Sequence, residues 1–279
     1  MPPLYGAYGL ALSRPPVGPE WWVEAPPHWT PWSFEWSPLD PVERSCPAED
    51  PDRVTIHLHD AIAVYRPGEA TTTIHTADEP APHSLVHPHF GQTAVAHAWS
   101  QGWSAFHAGA VAVDGAVWAV LGDRGFGKSS ALAWLLCSGL DVFADDLLVF
   151  DGKAALAGPR SLDLREGAAT HFALGTEVGV IGPRRRWRAH LGPVGAELPL
   201  AGWVLLQWRP GAPQVTRAGT RECLLALISA SALLGVPASG PRLLELASLP
   251  MLVFGRPQNW SAMDAAMELL LGSLTAGDA

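Results

Sequence analysis

The sequence predicts an α/β protein with a small β-rich, Trp/Pro-rich part at its N-terminus, and three observations support this class. Apolar runs typical of buried strands alternate with helical segments from about residue 92 to the C-terminus. Short alternating runs between residues 53 and 75 predict an antiparallel meander. The first 50 residues are crowded with proline and tryptophan, which predicts an extended segment lying on the body of the protein.

Length and composition predict a globular chain. Its 279 residues leave room for one large domain or two small ones, and 48% hydrophobic against 16% charged residues argues against extended disorder. We predict a boundary near residue 100. Residues 1–100 then form the N-terminal segment and meander, and residues 101–279 form the domain that carries the motifs described below.

The tryptophans of the N-terminal segment have two interpretations. The first is that they pack a second small core, and the second is that they line a groove for a peptide, since tryptophan is enriched at recognition sites. The residues concerned are Trp21, Trp22, Trp29, Trp32 and Trp36. The meander that follows is predicted at residues 53–59, 62–65 and 71–75, with Pro67-Gly68 as a turn.

The residues from Gly122 to Ser129 match the pattern Gly-x-x-x-x-Gly-Lys-Ser. Glycines in this pattern let successive backbone N–H groups surround phosphate, the lysine reaches the outer phosphates, and the serine hydroxyl is a magnesium ligand. The surrounding sequence agrees, because a strand at residues 116–121 and a helix at residues 129–138 would direct the helix N-terminus at the phosphates. A nucleoside triphosphate is the expected ligand.

Two further features lie near this loop in sequence. Residues 105–113 and the Asp114-Gly115 turn predict a strand and hairpin leading into the loop strand, with His107 on that strand. Residues 140–150 are apolar except for Asp145 and Asp146, and a buried carboxylate requires a cation or a donor. Neighbouring strand residues face opposite sides of a sheet, so both acids reach one site only at a bulge or a strand end. The alternative is a turn with both acids in water.

The remainder of the chain completes the α/β pattern. We predict a strand at residues 202–208, helices at 220–234 and 242–247, a strand at 251–254, and a last helix opened by a capping box from Ser261 to Asp264. Residues 184–188 form a basic patch that either closes over a phosphate or is a solvated loop.

Charge and targeting signals restrict the class of function. A net charge of −9 disfavours a general nucleic-acid binder. Three widely spaced cysteines imply neither a disulfide framework nor a zinc cluster. The N-terminus lacks a basic signal-peptide region, and no stretch of about 18 apolar residues predicts a membrane span. We therefore expect a cytoplasmic protein with no membrane partner.

These motifs resemble the HPr kinase/phosphorylase family. A histidine strand with Gly109, the loop from Gly122 to Ser129 and an Ala144-Asp145-Asp146 segment occur in that order and at similar intervals in the family's catalytic domain. The resemblance covers about residues 100–170 and implies a P-loop kinase core of the HPr kinase C-terminal-domain type. The Trp-rich N-terminal segment is unlike the family's own N-terminal domain. The chain is more similar to stand-alone HPr-kinase-like proteins from clusters for ribosomally made peptides, including lasso peptides.

The resemblance implies a serine kinase that uses ATP (or GTP) and Mg2+ to phosphorylate a peptide or protein. It implies catalytic roles for His107, Lys128, Asp145 and Asp146, and metal binding by Ser129, Asp146 and Asp163, although Asp163 replaces the family's glutamate. The nucleotide would contact Gly122, Asp123, Arg124, Gly125, Phe126, Gly127, Lys128, Ser129 and Ser130. Two other classes stay open, a nucleotide-dependent switch or hydrolase and a peptide-binding accessory module. The oligomeric state stays open too.

Overall fold

The computed structural model describes residues 4–38, 53–58, 61–181, 184–232 and 240–276. Within these ranges the chain forms twenty strands in four sheets together with seven α-helices, so the fold is mixed α/β as predicted.

The N-terminal part forms a seven-stranded sheet of order β3-β1-β2-β4-β7-β6-β5. Its strands are β1 (Tyr5–Ala7), β2 (Leu10–Leu12), β3 (Val23–Glu24), β4 (Thr30–Pro38), β5 (Val54–His57), β6 (Ile62–Arg66) and β7 (Thr71–Thr76). The antiparallel meander β5-β6-β7 confirms the sequence prediction. The proline-rich segment was not predicted to be part of the sheet, where β4 pairs in parallel with β2 and β7. Pro31 and Pro38 occupy its second and last positions, so residues 32–37 keep the N–H groups that a ladder needs.

A six-stranded central sheet of order β11-β9-β10-β18-β20-β19 holds the phosphate-loop strand. Its strands are β9 (Gly109–Val113), β10 (Ala116–Leu121), β11 (Asp141–Ala144), β18 (Leu200–Trp208), β19 (Gln214–Arg217) and β20 (Met251–Arg256). Strands β10, β18 and β20 run parallel. Asp114 and Gly115 have φ values of 49° and 77°, and they form the predicted hairpin turn between β9 and β10.

Two smaller sheets lie beside the central one. The first, of order β17-β13-β12-β8, contains β8 (Ser104–Phe106), β12 (Leu148–Phe150), β13 (Ala155–Leu156) and β17 (Glu197–Leu198). The second, of order β14-β16-β15, contains β14 (Ser161–Leu164), β15 (Thr176–Ile181) and β16 (Arg184–His190). The strand predicted at residues 105–113 is divided between two sheets, so that expectation was wrong. Of the two alternatives for the basic patch at residues 184–188, the solvated loop was wrong, because these residues form strand β16.

The α-helices are α1 (Pro82–Ser84), α2 (Phe90–Ser100), α3 (Lys128–Cys137), α4 (Glu166–Phe172), α5 (Thr220–Ala230), α6 (Gly240–Ala247) and α7 (Met263–Thr275). The last two residues of the helix predicted at 220–234 lie outside the described residues, and so does Cys46. The capping box at Ser261 was wrong, since the Asn259 side chain accepts the Ala262 N–H at 2.8 Å. A short 3-10 turn, Trp260–Ala262, precedes α7.

The central sheet separates two hydrophobic clusters. Along β10, Val117, Ala119 and Leu121 face one cluster, whereas Trp118 and Val120 face the other, as expected from the two-residue period of a strand. The first cluster contains N-terminal tryptophans together with residues from beyond position 100. Trp22, Trp29 and Trp32 are buried, whereas Trp36 is 41% exposed. The core interpretation therefore describes most of these tryptophans.

Candidate functional site

The loop that matches the Gly-x-x-x-x-Gly-Lys-Ser pattern joins β10 to α3 through backbone conformations that favour glycine. Gly122, Gly125 and Gly127 have φ values of 149°, 96° and 83°, a region that other residues rarely adopt. At Gly127 a Cβ atom would lie 2.5 Å from Nη2 of Arg256 and 3.2 Å from the Trp208 ring. All three positions therefore have a conformational reason to be glycine, and Gly127 has a steric reason as well.

Lys128 is the first residue of α3, where the helix N-terminus faces the loop. Its Nζ donates a hydrogen bond to the Gly122 carbonyl at 2.7 Å. Burial lowers the pKa of Lys128, although the neighbouring carboxylates of Asp146, Asp145 and Asp123 favour its charged form. The loop thus holds a partly desolvated cation beside acids, at the position the motif predicts for the outer phosphates.

The two consecutive acids lie where the chain leaves β11, as the strand-end prediction required. Asp146 adopts a left-handed backbone with φ of 63° and is exposed. Asp145 accepts a hydrogen bond from Ser129 Oγ at 3.3 Å and another from the Asp163 backbone N–H at 2.9 Å. The alternative of a turn with both acids in water was correct in part. The acids lie in the bend between β11 and β12, where Asp146 is exposed and Asp145 is half-buried.

Asp145 has an electrostatic environment unlike that of an ordinary surface acid. Burial and the neighbouring Asp146 charge raise the pKa of Asp145 to about 7, against the effect of the Asp163 N–H bond, which favours its ionised form. A carboxyl group that titrates near neutral pH beside a phosphate-binding loop is a functional-site candidate.

Asp163 on β14 is paired with Arg188 on β16. Nε of Arg188 lies 2.6 Å from Oδ1, and Nη2 lies 2.8 Å from Oδ2. Arg188 also donates to the His83 carbonyl at 2.7 Å. Burial disfavours the charge on Asp163, but the hydrogen bonds from Arg188 outweigh that effect and lower its pKa. Both oxygens of the predicted metal ligand Asp163 are thus engaged by a guanidinium group.

His107 lies at the break between β8 and β9. Its backbone N–H donates to the Ala230 carbonyl at 2.7 Å, and its side chain is exposed. His107 is therefore not a buried core residue. Its ring forms no hydrogen bond to Asp145 or Asp146 among the described residues, but it lines the same cavity as Lys128 and Asp146.

Tyr8 is a residue of the site that the sequence analysis missed. It lies in the turn between β1 and β2, with φ of 53° followed by 87° at Gly9, and its hydroxyl donates to the Asp145 carbonyl at 3.4 Å. Burial raises the pKa of Tyr8, and the charges of Asp145 and Asp146 raise it further. The alternation around a Tyr-Gly pair indicates a hairpin turn, but no local pattern indicates a contact across 137 positions.

Two cavities meet at the loop, and Lys128 and Asp146 line both. The larger, of about 900 Å³, is also lined by His107, Glu222 and Leu225. The smaller, of about 350 Å³, is lined by Ser129 and Ser130 at the start of α3 and by arginines from other elements. The arrangement places the lysine and one acid between two separate binding spaces.

Neither a cluster of metal ligands nor a membrane-spanning helix occurs in the part of the chain that the structure describes. No cluster of three or more His, Cys, Asp or Glu side chains is suited to a metal ion within the described ranges. The Ser129 hydroxyl and the Asp145 carboxylate, two oxygen groups of this site, are in contact at 3.3 Å. None of the described helices combines the length and apolar character needed to cross a membrane.

Comparison with known proteins provides a distant neighbour. No family model matches the sequence, and no curated protein is significantly similar to it. Among solved structures, the HPr(Ser) kinase/phosphatase from Coxiella burnetii aligns with 61% of this chain and 95% of its own, at 12% identity and a TM-score of 0.29. A likeness at this level does not support a functional argument by itself.

Proposed function

We propose that this protein is an ATP-dependent kinase of the HPr-kinase type that transfers the γ-phosphate to a serine hydroxyl of a peptide or protein. One observation supports this most strongly. Ser129 of the phosphate loop is hydrogen-bonded to Asp145, while Lys128 and Asp146 line the junction of two cavities. A kinase needs a loop for phosphates, oxygen ligands for magnesium and an acid near the acceptor hydroxyl.

The residues present fit a magnesium nucleotide. In this proposal the loop N–H groups and Lys128 hold the phosphates, and Ser129 and Asp145 supply hard oxygen ligands for the metal. Bound magnesium neutralises charge on the phosphate oxygens. Asp163 suits direct ligation less well, because Arg188 engages both of its oxygens. We propose instead that Asp163 orients Asp145 through its backbone N–H.

We assign proton acceptance to Asp146. It is exposed and lines the larger cavity together with His107, so it has access to an incoming hydroxyl. Phosphoryl transfer requires alignment and charge neutralisation more than covalent chemistry from the protein. A flexible peptide with a serine fits this larger space, and the resemblance to HPr-kinase-like proteins of lasso peptide clusters favours such a precursor peptide.

The test is transfer of labelled γ-phosphate from ATP to serine peptides, followed by mass spectrometry of the product. The wild-type protein should phosphorylate a serine peptide, whereas Lys128→Ala and Asp146→Asn should fold yet lose at least about a hundredfold in rate, the scale of one preorganised catalytic group. The matched control is Lys153→Ala, which removes the chain's other lysine from an exposed turn.

Other outcomes separate the alternative functions. Full activity in Lys128→Ala contradicts the assignment. Nucleotide hydrolysis without any acceptor identifies a switch or hydrolase. Peptide binding that persists in Lys128→Ala without phosphate transfer identifies an accessory binding module.

A further inference from the structure

Four arginines from separate parts of the chain surround the smaller cavity. Arg124 belongs to the phosphate loop, Arg165 immediately precedes α4, and Arg184 and Arg186 lie on β16. In a chain of net charge −9, such a concentration of positive charge in one cavity indicates an anionic ligand. The inference below rests on the proposed function, since it concerns where the nucleotide lies.

The arginines are crowded and unpaired. None of the four forms an ion pair with a carboxylate in the ranges that the structure describes. Nη1 of Arg184 and Nε of Arg186 are buried without a hydrogen-bond partner among the described residues. The pKa of Arg165 is lowered by burial and then by the charges of Arg184, Arg186 and Arg124. Buried N–H donors and mutual repulsion cost free energy that a multivalent anion would offset.

An aromatic side chain borders the same cavity. Trp260 is 42% exposed and lines the cavity near Gly167. Its ring is stacked on His171, with centroids 4.4 Å apart and planes at 19°. A tryptophan held by stacking on a neighbour offers a rigid surface for a nucleobase, since base stacking on aromatic rings contributes about 1–3 kcal/mol.

The direction of the phosphate chain follows from which residues line which cavity. Lys128 lines both cavities, whereas Ser129 and Ser130 line only the smaller one of the two. In this motif the lysine reaches the β- and γ-phosphates and the loop N–H groups hold the α- and β-phosphates. Arg124 and Arg186 also line the larger cavity, whereas Arg165 and Arg184 line only the smaller one of the two. The γ-phosphate therefore belongs at the junction, and the α-phosphate and nucleoside belong in the smaller cavity, beside Arg165 and Arg184.

We propose that the smaller cavity is the nucleoside subsite, in which Arg165 and Arg184 contact the phosphates and the nucleobase stacks on Trp260. The larger cavity is then left to the acceptor. This arrangement brings donor and acceptor to Lys128 and Asp146 from opposite sides.

The stacking part is tested by calorimetric titration with two magnesium-loaded ligands, ATP and inorganic tripolyphosphate. Trp260→Ala should weaken ATP binding about tenfold, from the stacking contribution, and leave tripolyphosphate binding within about twofold. Trp260→Phe keeps an aromatic face and should restore most of the ATP affinity. The matched control is Trp99→Ala, at a tryptophan that is 39% exposed and outside the cavity.

The arginine part is tested by Arg165→Gln and Arg184→Gln. Each should weaken ATP and tripolyphosphate alike by about tenfold, because a charged hydrogen bond to phosphate is lost in both complexes. Arg185→Gln is the matched control. It lies between Arg184 and Arg186 on β16 but is exposed and paired with Glu177 at 3.2 Å, so both affinities should stay within about twofold.

The outcomes separate this inference from the proposed function. If Trp260→Ala leaves ATP binding unchanged, or weakens both ligands equally, the nucleoside does not lie in this cavity. If wild-type protein binds neither ligand, the nucleotide site itself is wrong and both proposals are overturned. If the affinities change as expected but no serine is phosphorylated, the subsite stands and the kinase proposal fails. Melting temperatures of all variants identify any that do not fold.

Discussion

Asp145 and Asp163 are adjacent acids with opposite electrostatic surroundings. Asp163 accepts two short hydrogen bonds from the Arg188 guanidinium group, and its pKa is lowered despite burial. Among the described residues, the hydrogen-bond donors to the Asp145 carboxylate are neutral, namely the Ser129 hydroxyl and the Asp163 N–H. Burial and the charge of Asp146 raise the pKa of Asp145 to about 7.

The difference indicates that the two acids have different roles, structural for Asp163 and chemical for Asp145. A buried acid that is hydrogen-bonded to its own cation stays ionised to lower pH and fixes the surrounding elements, in this case β14, β16 and the segment at His83. A half-buried acid with no hydrogen bond from a cation keeps its capacity to bind a metal ion or a proton. Experiments that treat the two acids alike should therefore give different results.

The largest effect is expected from Asp163→Asn. Removing one partner of a buried ion pair leaves Arg188 uncompensated, so the free energy of unfolding should fall by about 3–5 kcal/mol. Urea denaturation measures this fall. The control is Glu177→Gln, which breaks the exposed pair with Arg185 and should change stability by less than about 1 kcal/mol. Equal effects from the two substitutions would show that the buried Asp163–Arg188 pair stabilises the fold no more than an exposed pair does.

Asp145→Asn should act on catalysis instead. No cation is hydrogen-bonded to Asp145 among the described residues, and Lys128 keeps Asp146 and Asp123 as neighbouring acids. The protein should therefore stay folded. Phosphate transfer to a serine peptide should fall about a hundredfold to a thousandfold, the range for one preorganised electrostatic group. Asp114→Asn, at an exposed turn residue with left-handed backbone that asparagine tolerates, should keep its activity. A fully active Asp145→Asn protein would remove Asp145 from the mechanism.

The pH dependence of stability should distinguish the acids by sign. The folded-state pKa of Asp145 lies above its unfolded value of 3.8. The contribution of Asp145 to the free energy of unfolding is therefore fully present below about pH 4 and is lost as pH rises to about 7. The loss should be on the order of 2 kcal/mol, less than the full shift implies because the site is partly open to solvent. The pKa of Asp163 is lowered from its ordinary value of 3.8. Its contribution to the free energy of unfolding is therefore present above pH 3.8 and is lost as pH falls.

The measurement is urea denaturation between pH 4 and 8. Asp145→Asn should flatten the decline between pH 4 and 7, whereas Asp114→Asn should leave it unchanged. If the decline is the same in Asp145→Asn and wild type, another group causes it.

Sequence patterns predicted the parts of the site that depend on neighbouring residues. The strand, glycine loop and helix around Lys128 follow from local periodicity and backbone conformation, and the strand end at Asp145 and Asp146 follows from charge inside an apolar run. The same reasoning placed the Asp114-Gly115 hairpin, because left-handed turn residues form a short-range signal.

The remaining features depend on contacts that no local pattern records. The Asp163–Arg188 pair spans 25 positions. Its strand β16 was interpreted as an arginine patch because its charged residues lack the alternating apolar pattern typical of a strand. The proline-rich β4 was missed because sheet membership depends on which residues are proline, not on how many. Asp145 and Asp146 differ in burial because distant parts of the chain pack against them differently. Two identical neighbouring residues give no local signal of that difference.

The smallest expected effect concerns Tyr8, the only contact to Asp145 from the N-terminal sheet among the hydrogen bonds of the described residues. Its long 3.4 Å hydrogen bond to the Asp145 carbonyl fixes the backbone of the acid without touching its carboxylate. Tyr8→Phe should therefore lower stability by about 1 kcal/mol or less and reduce the transfer rate a few-fold at unchanged affinity for ATP. Tyr5→Phe, on β1 of the same hairpin, is the control and should change neither quantity. A Tyr8→Phe protein that loses ATP affinity would show instead that the hairpin supports the nucleotide and not the acid.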